Sequence, residues 1–274
     1  LLSRRQRQMC IRDSSSPHIR SNEDTRSIML DVIVALIPAL GMSVYLFGPR
    51  VLALTLISVG ACVLSEYLYR RLTHQSNTLR DCSACVTGLL LAMCLPAASP
   101  YWVPLLGGVF AIVVVKQFYG GLGKNFMNPA LGARCFLLIS FTGRMTSFTY
   151  DGITGATPLA IIKAGSRSDS IQKILASGDG KTQEATSLLK MFIGSTGGTI
   201  GETCAIALLI GAAYLLIRKI ISWRIPVCYI AVFAIFILLF GGRGFDLTYL
   251  AAELCGGGLL LGASVSYTHL RAHE

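Results

Sequence analysis

Long apolar stretches separated by short polar segments dominate the sequence. Each stretch approaches the roughly 20 residues that an α-helix needs to cross about 30 Å of hydrocarbon. The pattern predicts seven complete membrane spans and part of an eighth, at residues 28–47, 51–69, 82–98, 102–118, 130–148, 200–221, 225–240 and 247–263. Because backbone groups inside a bilayer must be hydrogen-bonded within the protein, these spans must be helices. The predicted fold class is therefore an all-α polytopic membrane protein.

The composition agrees with this class. Hydrophobic residues make up 53% of the chain and charged residues 14%, which is not the composition of a basic nucleic-acid binder, despite a formal net charge of +10. The basic residues lie between the apolar runs, as loop anchors do, rather than along one polar face. We predict no nucleic-acid partner. Most cysteines lie inside apolar runs, where they serve as small hydrophobes rather than as a disulfide framework.

The two ends of the chain do not look like natural protein. Residues 9–13 (MCIRD) can be encoded by ATGTGTATAAGAGAC, the reverse complement of GTCTCTTATACACAT, which encodes residues 265–269 (VSYTH). Both ends resemble translated adapters of a sequencing library. We therefore expect residues 1–13 and 264–274 to be adapter artefacts, and residues 14–263 to be one membrane domain truncated inside its eighth span. Setting the ends aside removes five arginines and two acidic residues, so the formal net charge falls from +10 to +7.

Basic residues in the short loops predict the orientation in the membrane. Ten lysines and arginines lie in or beside the short loops on one side of the membrane, and two lie in those on the other side. The ten are Arg20, Arg26, Arg70, Arg71, Arg80, Lys116, Lys124, Arg218, Lys219 and Arg224, and the two are Arg50 and Arg243. This asymmetry places the N-terminus in the cytoplasm and the long polar segment at residues 149–199 outside it.

That long segment contains the sharpest local motif, DGITGATPL at residues 151–159. Gly155 and Pro158 predict a turn that presents Thr157, and an ordinary capped turn would explain this much. The pattern D-x-x-T-G-A-T also resembles the recognition sequence of the flavin transferase that joins FMN to a threonine through a phosphoester. The resemblance implies covalent FMN on Thr157. It implies a flavin-transferase motif made of Asp151, Thr154, Gly155 and Ala156.

Three further segments resemble one family over nearly the whole natural length: residues 15–18 (SSPH), 119–130 (YGGLGKNFMNPA) and 197–203 (GGTIGET). With the flavin motif, they identify the chain as a member of the family of the Rnf complex D subunit and the sodium-pumping NADH:quinone reductase B subunit. The short start with SSPH is similar to the Rnf member. The resemblance implies a multi-pass flavoprotein of the bacterial inner membrane, with covalent FMN and a second, non-covalent flavin (riboflavin). Implied partners are the other subunits of the complex, a flavin transferase and membrane lipid.

Residues 85–91 (CVTGLLL) and 255–261 (CGGGLLL) echo one another. They lie in the third and eighth spans, which are five apart and would cross the membrane in opposite directions. This spacing predicts an inverted repeat of five helices with five, with glycine-interrupted helices meeting near the midplane. A chance match of small residues and leucines is the alternative. The family also implies about ten spans.

Glycines and asparagines accumulate before the fifth predicted span. This segment predicts either a re-entrant loop whose backbone approaches a flavin or an ion, or a tight basic connector. Either is followed by a helix that starts near Asn128 with proline in its first turn. The candidate ligand-binding residues are Gly120, Gly121, Gly123, Lys124, Asn125 and Asn128.

Few ionisable residues fall at membrane depth, where such groups are functional candidates by default. Glu66, Glu202 and Glu253 are the candidates for an ion path, although Glu66 and Glu202 lie near span ends, where a position at the lipid headgroups would also explain them. Arg134 is a candidate partner of Glu253 or of a flavin. The CxxC at residues 82–85 has no second ligand pair at suitable spacing, so we predict no metal site.

Three functions are open on the sequence. The first is the Rnf subunit, which carries electrons through covalent FMN between ferredoxin and NAD, coupled to translocation of Na⁺ or H⁺. The second is the quinone-reductase B subunit, which shares the quoted motifs. In both cases the chain is one subunit of an ion-translocating oxidoreductase and is not catalytic alone. The third is a transporter or channel without redox chemistry, which the repeat and the broken helices favour and the flavin motif opposes.

Overall fold

The computed structural model describes residues 25–74, 79–121, 125, 127–150, 153–155, 157–164, 188–194, 196–202, 204–221, 223–241, 246–256 and 258–262. Both predicted adapter ends and the SSPH segment lie outside these ranges. Asp151, Ala156, Gly123 and Lys124 lie outside them as well.

The described part of the chain is mostly helical. In chain order the helices are α1 (Thr25–Phe47), α2 (Arg50–Leu72), α3 (Ser83–Met93), α4 (Trp102–Phe110), α5 (Pro129–Ser140), α6 (Thr142–Met145), α7 (Pro158–Ala164), α8 (Leu188–Ile193), α9 (Ala205–Ile217), α10 (Arg224–Phe240), α11 (Leu247–Cys255) and α12 (Leu259–Leu261). A 3₁₀ turn at Leu79–Asp81 precedes α3, and a π-helical segment, Ala111–Gln117, continues α4.

One short β hairpin interrupts the helical pattern. Strands β1 (Phe148–Tyr150) and β2 (Ile153–Gly155) pair antiparallel, with Phe148 opposite Gly155. The sequence predicted only helices and a polar loop here, so the hairpin is an addition to the predicted all-α fold.

Two of the described helices, α1 and α2, are long and apolar enough to cross a membrane alone. Each has 23 residues, or about 35 Å at 1.5 Å per residue. They match the first two predicted spans, and α10 matches the seventh. The other apolar helices are shorter, so the predicted count of eight spans is not confirmed.

The third, fifth, sixth and eighth predicted spans are shorter or broken. Helix α3 has 11 residues, or about 17 Å, and ends at Met93 rather than near residue 98. The fifth ends at Ser140, and the sixth starts at Ala205 rather than at residue 200. The eighth is interrupted between Cys255 and Leu259.

Hydrogen bonds between distant segments explain two of these breaks. After α3 the chain is irregular and crosses the segment before α9, with a β-bridge between Pro96 and Thr199. The Ile200 N–H donates to the Leu95 carbonyl (2.9 Å), and the Gly201 N–H donates to the Met93 carbonyl (2.7 Å). Proline cannot donate a helical hydrogen bond, so the helix ends before Pro96.

Side chains satisfy further carbonyls at this crossing. The Arg50 guanidinium donates to the carbonyls of Ala98 (3.3 Å) and Ser99 (3.0 Å), and the Ser43 hydroxyl donates to the Ile200 carbonyl. Irregular backbone at membrane depth is tolerated where protein covers it and supplies such partners. The crossing therefore lies inside the bundle.

Helix α3 is at the centre of the fold, and α10 is at its edge. Every residue of α3 except Cys85 is buried, whereas α10 buries none. Leu89, Leu91 and Met93 belong to the main hydrophobic core. The two echoed segments therefore differ, because residues 85–91 lie in an unbroken buried helix and residues 255–261 contain a break.

Candidate functional site

The Thr157 segment and the broken eighth span meet at a cavity of about 550 Å³. This volume lies within the range of about 300–1,000 Å³ that is usual for small-molecule sites. The residues that line it come from six parts of the chain: Arg134, Phe148, Thr157, Leu159, Met191, Thr196, Gly197, Gly198, Glu202, Tyr229, Cys255, Gly256, Gly258 and Leu259.

Thr157 lies half-buried in the turn immediately before α7. Its Oγ1 accepts a hydrogen bond from the Ala160 N–H (3.3 Å), and its carbonyl accepts one from Ile161 (3.1 Å). Pro158 is the first helical residue, where its missing N–H costs no hydrogen bond. The residue is therefore a helix cap, as the ordinary explanation of the motif requires, and its side chain also lines the cavity.

The predicted turn is divided between two elements. Thr154 and Gly155 belong to strand β2, where Gly155 pairs with Phe148. The hairpin ends at Gly155, and the helix cap that presents Thr157 begins two residues later. The hairpin places Phe148 against the same cavity as Thr157.

An ion pair forms the charged wall of the cavity. Arg134 Nη1 lies 2.8 Å from Glu202 Oε1, with the side chains 31% and 12% exposed. The prediction that Arg134 pairs with Glu253 is wrong, because Glu253 faces Tyr249, one turn earlier on α11. The segment 197–203, which carried part of the family resemblance, supplies the acidic partner instead.

The glycines of the broken span allow the chain to approach this ion pair. A Cβ added at Gly258 would lie 2.5 Å from Glu202 Oε1 and 3.6 Å from Arg134 Nη1. A Cβ at Gly256 would collide with the Leu159 side chain and lie 3.0 Å from Met191 Cε. The break between α11 and α12 is thus built against the walls of the cavity.

A second, smaller cavity of about 50 Å³ is also lined by Arg134. Leu90 of α3 and Leu261 of α12 both line it, so the two echoed segments come together there. Asn128 lines it as well, and its Oδ1 accepts from the Ala130 N–H (3.0 Å), which caps α5 as predicted. Arg134 lines both cavities.

Gly120, Gly121 and Asn125, the other described candidates in the glycine-rich loop, are not among the residues that line the large cavity. Gly120 and Gly121 have positive φ angles of 103° and 95°, which favour glycine. A Cβ at Gly121 would lie 3.0 Å from an Arg70 guanidinium nitrogen. Both amide atoms of Asn125 are buried with no partner among the described residues.

Glu66 belongs to a different, fully buried charge cluster. Lys116 Nζ donates to both Glu66 oxygens (3.0 and 2.9 Å) and to Ser83 Oγ (2.8 Å), and Gln117 Nε2 donates to Glu66 Oε1 (3.2 Å). The side chains of Lys116 and Glu66 are each 1% exposed. Lys116 is therefore buried inside the helix bundle rather than exposed in a loop as predicted, and Glu66 is paired within the protein.

Sequence reasoning missed two participants for different reasons. Lys116 stood at the end of an apolar run and Glu66 at the end of another, but the sequence does not show that these two helices become neighbours. Tyr229 lines the large cavity from α10, and nothing in its sequence context distinguishes it from the other apolar residues of that helix. Among the described residues, no group of three or more His, Cys, Asp or Glu side chains is placed to hold a metal ion.

Comparisons with known proteins agree on one family. The model of the NQR2, RnfD, RnfE family matches residues 12–269. The chain is 46% identical to the D subunit of the Na⁺-translocating ferredoxin:NAD⁺ oxidoreductase complex of Acetobacterium woodii, over 91% of this chain and 74% of that protein. It is 37% identical to the D subunit of the proton-translocating ferredoxin:NAD⁺ oxidoreductase complex of Clostridium ljungdahlii (91% and 76%). It is 32% identical to the D subunit of the ion-translocating oxidoreductase complex of Escherichia coli strain K12 (93% and 80%).

Proposed function

Because the chain belongs to the NQR2, RnfD, RnfE family, we propose that it carries electrons on FMN bound covalently to Thr157 in an Rnf-type complex. It is a membrane protein and a subunit of an ion-translocating oxidoreductase. The relatives above are named as D subunits of ferredoxin:NAD⁺ or ion-translocating oxidoreductases. Those names favour the Rnf complex over the quinone reductase, with the other Rnf subunits as partners.

The observation that carries the proposal is the position of Thr157 at the large cavity. Its hydroxyl lies beside a space of about 550 Å³, which is in the size range of cofactor sites. The cavity offers aromatic and apolar side chains for a planar ring, from Phe148, Tyr229 and Met191, and one ion pair for its polar edge. These residues fit a flavin. When bound, the flavin supplies the electron-transfer chemistry, and the protein supplies position and electrostatics.

Attachment requires a hydroxyl, and threonine is too weak a nucleophile to react unaided. A flavin transferase is therefore the expected maturation partner. Asp151, Thr154, Gly155 and Ala156 form its recognition motif on this proposal. Of the described residues here, Thr154 and Gly155 lie in the hairpin, and Thr157 caps the helix that follows and lines the cavity.

Substitution of Thr157 tests the attachment site. Thr157→Asn keeps an oxygen that caps α7 but removes the hydroxyl that forms the ester, so it separates flavin attachment from capping. With the transferase coexpressed, Thr157→Asn and Thr157→Ala should abolish flavin fluorescence after denaturing gel electrophoresis. Thr157→Ser should retain some, and Thr154→Ala should weaken it at most. Flavin that survives denaturation in Thr157→Ala would show that the attachment site is elsewhere.

A transporter or channel without redox chemistry is the second candidate function. The broken helices and the polar backbone crossing inside the bundle favour it, since such features line substrate paths in transporters. The same gel separates the two candidates. Absence of covalent flavin in the wild-type chain, with the transferase present, would favour the transporter.

The contacts of Glu66, Glu202 and Glu253 make the proposed ion path more specific. Glu66 is held by an ammonium group at 2.9 Å, and a carboxylate neutralised in this way is a poor ligand for Na⁺. Glu202 and Glu253 are closer to the broken eighth span. We therefore place the ion path at Glu253, with Asn128 at the smaller cavity. Glu66 and Glu202 are both held in ion pairs and are reached only when those pairs open.

The five-plus-five repeat also stays a proposal. Its support is that Leu90 and Leu261, from the two echoed segments, line one cavity. A second, non-covalent flavin is expected from the family. The loop at Gly120, Gly121 and Asn125 is its candidate place, with Gly123 and Lys124 as further candidates from the sequence alone.

A further inference from the structure

The ion pair between Arg134 and Glu202 is the charged feature of the large cavity. Among the described residues that line this cavity, these two are the charged ones, and they lie on its wall with Thr157. The side chains of Arg134 and Glu202 are 31% and 12% exposed to solvent, respectively. A charge that is partly removed from water acts more strongly on its neighbours than a solvated one.

The pairing uses one corner of the guanidinium. Nη1 of Arg134 donates to Oε1 of Glu202 at 2.8 Å, whereas arginine and carboxylate often pair through two parallel hydrogen bonds. Arg134 also contacts the buried Cys94 thiol. Since the contact with Glu202 involves a single nitrogen, the guanidinium keeps donors for a second acceptor in the cavity.

The surrounding backbone fixes this arrangement. Gly258 lies so close that a Cβ there would be 2.5 Å from the same Glu202 oxygen. The Gly201 N–H donates to the Met93 carbonyl at 2.7 Å, which holds the backbone next to Glu202. Arg134 is on α5, whose N-terminus Asn128 caps. Both partners are therefore carried by restrained backbone.

We propose that Arg134 is the cationic contact of the flavin ring system and that Glu202 positions it, so that the two charges together set the reduction potential of the flavin. This rests on the proposed attachment of FMN at Thr157. A flavin gains negative charge on reduction, and a positive charge near the ring favours the reduced form. Glu202, the more buried partner, orients Arg134 and offsets part of its charge.

The test compares two substitutions that break the same ion pair but change the charge in opposite directions. Arg134→Gln removes the positive charge and should lower the midpoint potential of the covalent flavin. Glu202→Gln keeps an oxygen that accepts from Nη1, leaves Arg134 uncompensated, and should raise the potential. Arg134→Lys keeps the charge and should remain closer to the wild type than Arg134→Gln. The potential is measured on the purified full chain by stepwise reduction with dithionite in the presence of mediators, following flavin absorbance.

Arg218→Gln is the matched control. It also removes an arginine from an ion pair, with Asp31 at 3.1 Å, but it lies at the other end of α9, whose 13 residues span about 20 Å. Its potential should equal that of the wild type. Two results would overturn the proposal: equal potentials in Arg134→Gln, Glu202→Gln and the wild type, or shifts of the same sign in both variants. Loss of a purely structural ion pair would not move the potential in opposite directions in the two variants.

Failure of the proposal can be told apart from failure of the attachment site. Denaturing gel fluorescence reports whether flavin is on Thr157 in each variant, independently of the potential. If the wild type carries covalent flavin but the potentials do not diverge, the role of Arg134 is wrong and the attachment stands. If the Arg134→Gln protein does not accumulate, the difference in potential between Glu202→Gln and Arg134→Lys still tests the proposal. Of these two substitutions, only Glu202→Gln changes the net charge of the cavity.

Discussion

Lys116 and Glu66 form a salt bridge from which water is almost wholly excluded. The Nζ atom lies 2.9 Å from Glu66 Oε2, and each side chain is 1% exposed. Transferring two charges out of water is costly, so such a pair contributes little net stability. Removing one partner is different, because the other charge is then buried without compensation.

Lys116→Met should therefore destabilise the protein, by up to about 3–5 kcal/mol, because it removes the ammonium at 2.9 Å from the Glu66 carboxylate and leaves the more distant Arg70 guanidinium at 3.8 Å. Glu66→Gln combined with Lys116→Met should recover part of this loss, since the buried carboxylate and the buried ammonium are then both gone, while the Arg70 guanidinium keeps a side-chain oxygen at residue 66. The measurement is the midpoint of unfolding of the detergent-solubilised protein on titration with denaturant. A double variant as unstable as Lys116→Met alone would show that the pair is not the cause.

The same pair shows what residue type and position in the sequence do not determine. Lys116 was predicted as a loop anchor because a basic residue followed an apolar run. The π-helical segment Ala111–Gln117 instead carries the helix through Lys116, which then faces α2 and the start of α3. The partner of a charged residue depends on which helices become neighbours, and a single sequence does not contain that information.

At the scale of elements, α2 and α3 pack so closely that their backbones touch. A Cβ added at Gly88 would lie 2.6 Å from Val59 Cα and 3.0 Å from the Ser58 carbonyl oxygen. The Ser58 hydroxyl donates to the Gly88 carbonyl at 2.7 Å across the same contact. Small residues allow this approach, as is usual where helices pack in membranes.

Gly88→Ala should separate α2 from α3 and cost about 1–3 kcal/mol, because the atoms in the way are backbone and cannot rotate aside. Gly60→Ala is the matched control, since it lies on α2 with nothing within 4 Å of the added Cβ. It should be neutral or slightly stabilising, because alanine favours a helix interior over glycine. Denaturant midpoints in detergent decide, and equal midpoints for the two variants would contradict the close contact.

Continuous helices could be predicted from the sequence, and broken ones could not. The bounds of α1, α2 and α10 follow unbroken apolar runs, and hydropathy placed each end within three residues. The predicted spans also ran through the break after Met93 and the one before Ala205, because most residues there are apolar or small and only Glu202 is charged. Those breaks depend on hydrogen bonds between Leu95 and Ile200, which are far apart in sequence.

At the scale of the whole molecule, the large cavity brings together motifs that the sequence presented separately. The cavity is lined by Thr157, by the glycines at residues 197–198 and by the break after Cys255. Each was singled out by its own pattern. Their meeting required the chain to pass through α9, α10 and α11 and return, and no local pattern encodes that path. Thr157, Arg134 and Glu202 could be predicted as members of the candidate site, whereas Tyr229 and the arrangement of the site could not.

The bundle also gathers the basic loop ends at one end. Arg218, at the end of α9, pairs with Asp31 near the start of α1 (3.1 Å), and the turn that holds Arg80 precedes α3 near the end of α2. Arg50 lies at the opposite end of α2 and holds the carbonyls of the crossing. Two of the ten basic residues, Lys116 and Arg70, are buried beside Glu66 and carry no weight as loop anchors. Eight against two remain, so the asymmetry persists.

The asymmetry predicts the orientation of the protein in the membrane, because short loops rich in lysine and arginine stay in the cytoplasm. A reporter that is active only outside the cytoplasm, fused within residues 166–190, should be active, and the same reporter fused after Arg71 should be silent. A reporter that is active only in the cytoplasm should give the opposite pair of signals, which controls for unequal expression. Arg50→Ala removes one of the two basic residues on the predicted outer side. It should leave both reporter signals unchanged, because the basic loops on the other side determine the orientation. Cytoplasmic activity within residues 166–190 would reverse the map, and it would place Thr157 and its cavity on the cytoplasmic face, where flavin attachment would need a transferase that works inside the cell.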